Sequence, residues 1–212
     1  MKLEGFEARW KYLAAMADEF SNVMRIQGKW SLHGQITDLQ ETLSNPQSIL
    51  EWWPEAFMRS EIVHNGHENG IGRVVRVHTK GWMPHSFQFL IKLVEVSGTE
   101  RIILETQGDF DGYSVIQLHE ENGLIFAEYD WRVAVRQPLI RYLVPFAKSV
   151  FEANHHWVME RGRTGLQNYL YKVAGNNAGL SSVSKIRSAT FPHNLQAYQN
   201  NFKWADYVRN WN

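Results

Sequence analysis

The chain has 212 residues, with 22 Lys plus Arg against 22 Asp plus Glu. Zero net charge argues against a protein that holds nucleic acid by general attraction to phosphate, and a hydrophobic fraction of 44% with 21% charged residues excludes wholesale disorder. The absence of cysteine removes disulfides, thiolate metal sites and cysteine nucleophiles together.

Nine Trp, eight Tyr and eleven Phe make the chain 13% aromatic, which suits a core or the wall of an apolar cavity. No apolar run reaches the length of a membrane-spanning helix. Glu4, Glu7, Arg9, Asp18 and Glu19 interrupt any signal-peptide core, so a cytoplasmic location is expected.

Residues 6–26 read as a helix, because Phe6, Trp10, Leu13, Ala14, Ala17, Phe20, Val23 and Met24 recur at three- and four-residue spacing. Gly28 is expected to end it. Lys29 to Ile36 alternates as a strand, with Trp30, Leu32 and Gly34 on one face. Thr37-Asp38 then caps a short helix, and Pro46 opens a second one that Pro54 stops. Six more strands follow: 57–64, 70–80, 84–96, 101–107, 112–119 and 124–135. Asn65-Gly66, Ser97-Gly98-Thr99 and Glu121-Asn122-Gly123 read as turns between them, so an antiparallel meander is expected. From Leu139 to about Val173 helical spacing runs on, with Gly162 and Gly165 expected to mark a bend. Gly175-Asn176-Asn177 ends it, 175–188 reads as a linker, and 194–211 as an aromatic-rich terminal helix. That helix packs on its own domain, closes over a cavity as a lid, or forms a homodimer contact.

The order of elements gives an α+β fold in which one long helix covers a seven-stranded antiparallel sheet. Three stretches carry a family likeness. They are Thr42-Leu43-Ser44-Asn45-Pro46 with Glu51-Trp52-Trp53-Pro54, the strand Ala127-Glu128-Tyr129-Asp130-Trp131-Arg132-Val133, and the helix from Phe151 to Leu170. Over residues 29 to 172 the chain resembles the START-like and Bet v 1-like superfamily (SRPBCC), in particular its bacterial polyketide cyclase/dehydrase-type members. The resemblance implies the helix-grip fold and an apolar ligand cavity, without fixing a reaction. Three regions follow: an N-terminal helical extension at 1–28, the helix-grip domain at 29–174, and the C-terminal segment at 175–212.

Alternation on the last strand turns Tyr129 and Trp131 toward the cavity. On the long helix, Phe146, Val150, Asn154 and Trp157 fall near one stripe, and His155 lies about 100° round from Asn154. Phe89 and Trp53 are further wall candidates. Gln117 lines the cavity if its strand face is inward; His85 and His119 are other candidate polar anchors. His155 and Tyr129 are the weak catalytic candidates, as acid/base groups. No metal-binding spacing is present, and no cofactor is expected. The expected partner is a hydrophobic small molecule, lipid-like or aromatic, with no nucleic acid and no integral membrane segment. Binding or transport is the first reading of function. A polyketide cyclase/aromatase acting in the same cavity is the alternative, and an interaction module using the C-terminal segment is a third.

Overall fold

A computed structural model describes residues 3–19, 22–83, 85–143 and 148–176 of the chain. Helix α1 (Leu3–Glu19) is followed by strand β1 (Val23–Leu32), helix α2 (Ile36–Ser44), a 3₁₀ turn (Pro46–Ser48) and the short helix α3 (Ile49–Trp52). Six strands come next: β2 (Phe57–His64), β3 (Val74–Lys80), β4 (Ser86–Ser97), β5 (Arg101–Gly108), β6 (Phe110–Glu121) and β7 (Leu124–Val135). Helices α4 (Pro138–Leu143) and α5 (Lys148–Val173) complete the described chain. The long helix expected over 139–173 thus corresponds to α4 and α5. The terminal helix expected at 194–211 lies outside the described residues.

The seven strands form one antiparallel sheet in the order β1-β7-β6-β5-β4-β3-β2. From β2 to β7 it is the expected meander. β1, however, pairs with β7 rather than with its successor, because α2 and α3 carry the chain across the sheet to the opposite edge. β1 also begins at Val23, so the first helix ends before the stretch expected to finish it. Gly28 terminates no helix. It sits inside β1 opposite Tyr129, and a Cβ there would run into the Tyr129 ring. The residue that looked like a helix stop is a notch that admits an aromatic side chain.

Two other boundaries move for the same kind of reason. Gly66, Gly70 and Gly72 have φ of 73°, 80° and 81°, outside strand geometry, so β3 starts at Val74 and 65–73 is a loop rather than a tight hairpin. Helix α2 starts from Gln35, with no side-chain cap from Thr37 or Asp38. The β6–β7 turn keeps its sequence signature: Asn122 and Gly123 both have positive φ, 51° and 76°.

The sheet separates two apolar regions. On its outer face α1 places Phe6, Trp10 and Leu13 over Ile103, Tyr113 and Val115. The Arg132 guanidinium lies 3.8 Å from the Trp10 ring centroid. On the inner face lies the larger core. Leu32, Leu166 and Leu170 are buried there, and α5 is tied to the end of β1 by a two-way pairing of the Gln167 amide with the His33 backbone, both bonds at 2.8 Å.

Gly162 and Gly165 mark a close approach of α5 to α3. A Cβ on Gly162 would strike the Trp53 indole, and one on Gly165 would strike the Trp52 carbonyl oxygen. Trp53 is fixed in that position, since its Nε1–H donates to the Val158 carbonyl at 3.1 Å. Replacing Gly162 by Ala gains about 1 kcal/mol of helix propensity. Overpacking against a fixed indole costs about 1–3 kcal/mol. Gly162→Ala is therefore expected to lower the urea midpoint; a raised midpoint would show that Trp53 yields freely.

Candidate ligand cavity

Strand alternation decides what the cavity is made of. Met24, Ile26 and Trp30 on β1, Phe87, Phe89 and Ile91 on β4, and Leu104 and Thr106 on β5 all turn toward α5. So do Phe110, Ser114 and Ile116 on β6 and Ala127, Tyr129, Trp131 and Val135 on β7. Phe151, Asn154, His155, Val158 and Met159 face them from α5, and Leu43, Ile49, Trp52 and Trp53 close one side. They line a partly open cavity of about 240 Å³.

Its aromatic lining falls into two groups. In one, Trp30 meets Trp52, Trp53 and Tyr129 at centroid distances of 6.4, 5.8 and 5.5 Å, and Trp53 meets Phe57 at 5.2 Å. In the other, Phe110 meets Phe87, Phe89 and Trp131 at 4.6, 5.4 and 5.0 Å, and Trp131 stacks on the His155 ring at 6.2 Å. Most of these pairs are edge-to-face or tilted, the arrangements favoured by ring quadrupoles.

Several polar side chains at the wall are already engaged. Asn154 Oδ1 accepts the Met83 backbone N–H at 3.2 Å, which fastens the β3–β4 connection to α5. Thr79 Oγ1 donates to the Ala56 carbonyl at 2.8 Å and Thr42 Oγ1 to the Asp38 carbonyl at 2.7 Å. Three buried polar atoms of lining residues have no partner: Trp52 Nε1, Thr106 Oγ1 and His155 Nε2. Lys80 is the one charged residue among the described lining residues. Its side chain leaves the other face of the sheet, because it follows the inward Thr79 and pairs with Ser86, whose Oγ bonds the His78 ring on that face.

Burial sets the protonation of the site. It lowers the His155 pKa to about 4, with neighbouring His156 adding repulsion, so the ring is neutral at pH 7. Burial, with help from the Glu160 charge, pushes the Tyr129 hydroxyl up.

Tyr129, Trp131, Asn154, His155, Phe89 and Trp53 line this cavity; several other candidates do not. Val150 is 40% exposed, and Trp157 lies against the Arg161 guanidinium at 5.4 Å. The inward stripe of α5 runs through Phe151, Asn154 and Val158, so the expected stripe is turned by one residue, about 100°. Gln117 is exposed on the outer face, which it shares with Val115. His119 stacks there on Phe126 at 5.0 Å. His85 packs edge-on to Phe87 at 4.8 Å without lining the cavity. Phe146 lies outside the described residues. Thr106 and Ser114 join the wall without having been expected there. Thr106 was detectable as the polar residue that interrupts the Ile102, Leu104 series on one strand face.

Asp109, on the turn beside Phe110, balances His155. Burial raises its pKa to about 6, although the Gln88 N–H donates to its Oδ2 at 2.8 Å. A base with a lowered folded pKa contributes stability that is present above pH 6.5 and lost as pH falls toward 4. An acid with a raised folded pKa contributes stability that is present below pH 3.8 and lost as pH rises through 6. The two slopes oppose one another. Relative to the parent chain, His155→Gln is expected to gain stability as pH falls from 6.5 to 4. Asp109→Asn is expected to gain as pH rises from 3.8 to 6. Urea titrations across this range check both.

No family model matches the sequence, and no curated protein matches it either. Solved structures do match in fold. TTHA0849 from Thermus thermophilus aligns with a TM-score of 0.59 at 11% identity, over 71% of this chain and 99% of that one. A START superfamily protein from Mycobacterium smegmatis aligns at 0.51 and 13% identity, over 70% and 98%. The di-domain ARO/CYC StfQ from the steffimycin biosynthetic pathway aligns at 0.54 and 12% identity, over 77% of this chain and 56% of that larger one. A single sheet wrapped on α5, with the cavity between them, is the helix-grip fold, which this chain shares with the START superfamily structure.

Proposed function

We propose that this protein binds and carries an apolar small molecule in the cavity between sheet and α5. The observation that supports the reading is the wall itself: two groups of aromatic side chains around a partly open cavity, with no charged side chain among the described residues turned into it. Such a space favours an apolar ligand because the ligand exchanges water for apolar surface at the wall. The matching START superfamily structure agrees with this reading.

The alternative, a cyclase or aromatase, draws on the likeness to the ARO/CYC structure and on His155 and Tyr129 sharing the cavity. Their protonation behaviour disfavours it. An imidazole with a pKa of about 4 is a weak base at pH 7, and a tyrosine pushed above its usual value is a weak acid. Efficient proton transfer asks for groups poised near the working pH.

Native mass spectrometry of the freshly purified protein tests the carrier reading. A stoichiometric organic molecule is expected to leave with the protein, and Ala127→Phe is expected to remove it. Ala127 is 1% exposed at the cavity wall, between Trp30 and Leu118 on the neighbouring strands, so a phenyl ring there takes the ligand's space. Equal occupancy in the parent and Ala127→Phe proteins would place the ligand elsewhere.

A further inference from the structure

The outer face of the sheet is buried beyond the helix that lies on it. Helix α1 packs over Ile103, Tyr113 and Val115, and the β4 residue packed with this group is Val94. Leu90 lies further back along β4, about 13 Å away at the rise of a strand, yet its relative exposure is 0%. It pairs with Arg76 on β3 and Gln107 on β5, so it shares the outer face with Val74, His78, Gln88 and Glu105. Those four are buried as well. Side chains on one face of a sheet stand side by side, so residues as short as Val74 and Leu90 do not roof one another. Sheet geometry alone does not bury this face either, because Gln27, Lys29 and Gln117 on it are exposed. A layer of chain therefore lies over β3–β5, and none of the described elements supplies it.

The residues beyond the described ones are 1–2, 20–21, 84, 144–147 and 177–212. Residues 144–147 join helices whose Ile140 and Phe151 face the cavity, on the other side of the sheet. Residues 20–21 lead into β1 at the far edge, and neither residues 1–2 nor residue 84 can cover three strands. The stretch 177–212 is long enough, and its sequence fits. Leu195, Tyr198, Phe202, Ala205 and Val208 keep helical spacing. A helix over 194–211 is about 27 Å long, which crosses three strands at their spacing of about 4.8 Å. Tyrosine and tryptophan, with apolar rings and polar tips, suit a face that mixes Leu90 and Val74 with His78, Gln88 and Glu105. The reach is sufficient too. Helix α5 ends with Tyr171 stacked on His33, just past β1. From β1 to β4 is about 19 Å at strand spacing, and residues 177–193 extended span about 55 Å. A tether of this kind gives the segment a local concentration of roughly millimolar, which favours it over a second copy of the chain.

We propose that the outer face of β3–β5 is the docking surface of residues 194–211 of the same chain. The sheet is then held from both sides, by α5 on its inner face and by α1 and the C-terminal segment on its outer face.

The chain has no cysteine, so a single introduced thiol reports on this face directly. The full chain is made with Leu90→Cys, or with Gln117→Cys as the open reference, and with a protease site inserted within 177–193. In the intact protein the Leu90→Cys thiol is expected to react with Ellman's reagent about 100-fold more slowly than the Gln117→Cys thiol, since it must wait for local opening. After folding, the inserted site is cut and the protein is run at low concentration on a sizing column. Loss of the tether releases the segment, and the Leu90→Cys rate is expected to rise about tenfold or more while the Gln117→Cys rate stays the same. A fragment that stays bound beside a protected thiol, at the size of one chain, also supports docking. Three results overturn the proposal: equal rates at the two sites in the intact protein, a Leu90→Cys rate unchanged once the fragment has left, or protection that appears only as a dimer forms. Val74→Cys carries the same test if Leu90→Cys gives no cooperative unfolding transition.

Discussion

The contact on which the rest of the inner face depends is the seating of α5 against the tryptophan pair of α3. Gly162 and Gly165 present bare backbone where Trp52 and Trp53 come closest. Trp53 then reaches across to the Val158 carbonyl. The Trp30–Trp52–Trp53 group follows from that seating, because its members touch one another only with α3 held in place. The depth of the cavity follows too. Two side chains of ordinary size at 162 and 165 would lift α5 away from α3 and open that end. A helix usually loses stability at internal glycines; here they allow an approach that buries two indoles.

Strand periodicity made most of the fold legible in the sequence. The inward series on β7, Ala127, Tyr129 and Trp131, follows directly from a period of two. What periodicity could not supply was the third dimension. Gly28 reads as a helix stop when only its neighbours in sequence are considered; its role is set by Tyr129, far along the chain on β7. The partner of β1 was hidden for the same reason. On α5 the spacing identified a helix but not its phase, because apolar residues occur on more than one side. Val150 and Trp157 keep helical spacing as well as Phe151 and Val158 do, and only the packed sheet distinguishes them. Thr106 breaks the apolar series of Ile102 and Leu104 on one face of β5, but a threonine in a strand is ordinary and the break alone does not mark a cavity wall.

The two faces of the sheet solve different problems. The outer face under α1 mixes rings with charge. Asp111 is paired with Arg9 and Arg136, and Asp130 with Arg25 and Arg132. Of these pairs only Arg9–Asp111 joins α1 to the sheet, the others lying within the sheet and its connections, and exposed ion pairs of this type contribute little individually. The inner face keeps charge out.

Pairing the first strand with the last has a consequence for how the chain comes together. Val23 lies opposite Ala134, and Leu32 opposite Ile125. Contacts so distant in sequence are slow to form, since the entropy of closing a long loop is lost before the ladder returns anything. During synthesis the hairpins from β2 to β6 can assemble in order, but β1 has no partner until β7 arrives. In that interval β6 presents an unpaired edge and Trp30 has no wall to join. Exposed edges and unburied rings drive association between chains, so the most vulnerable moment in the life of this protein falls between the emergence of β6 and the completion of β7.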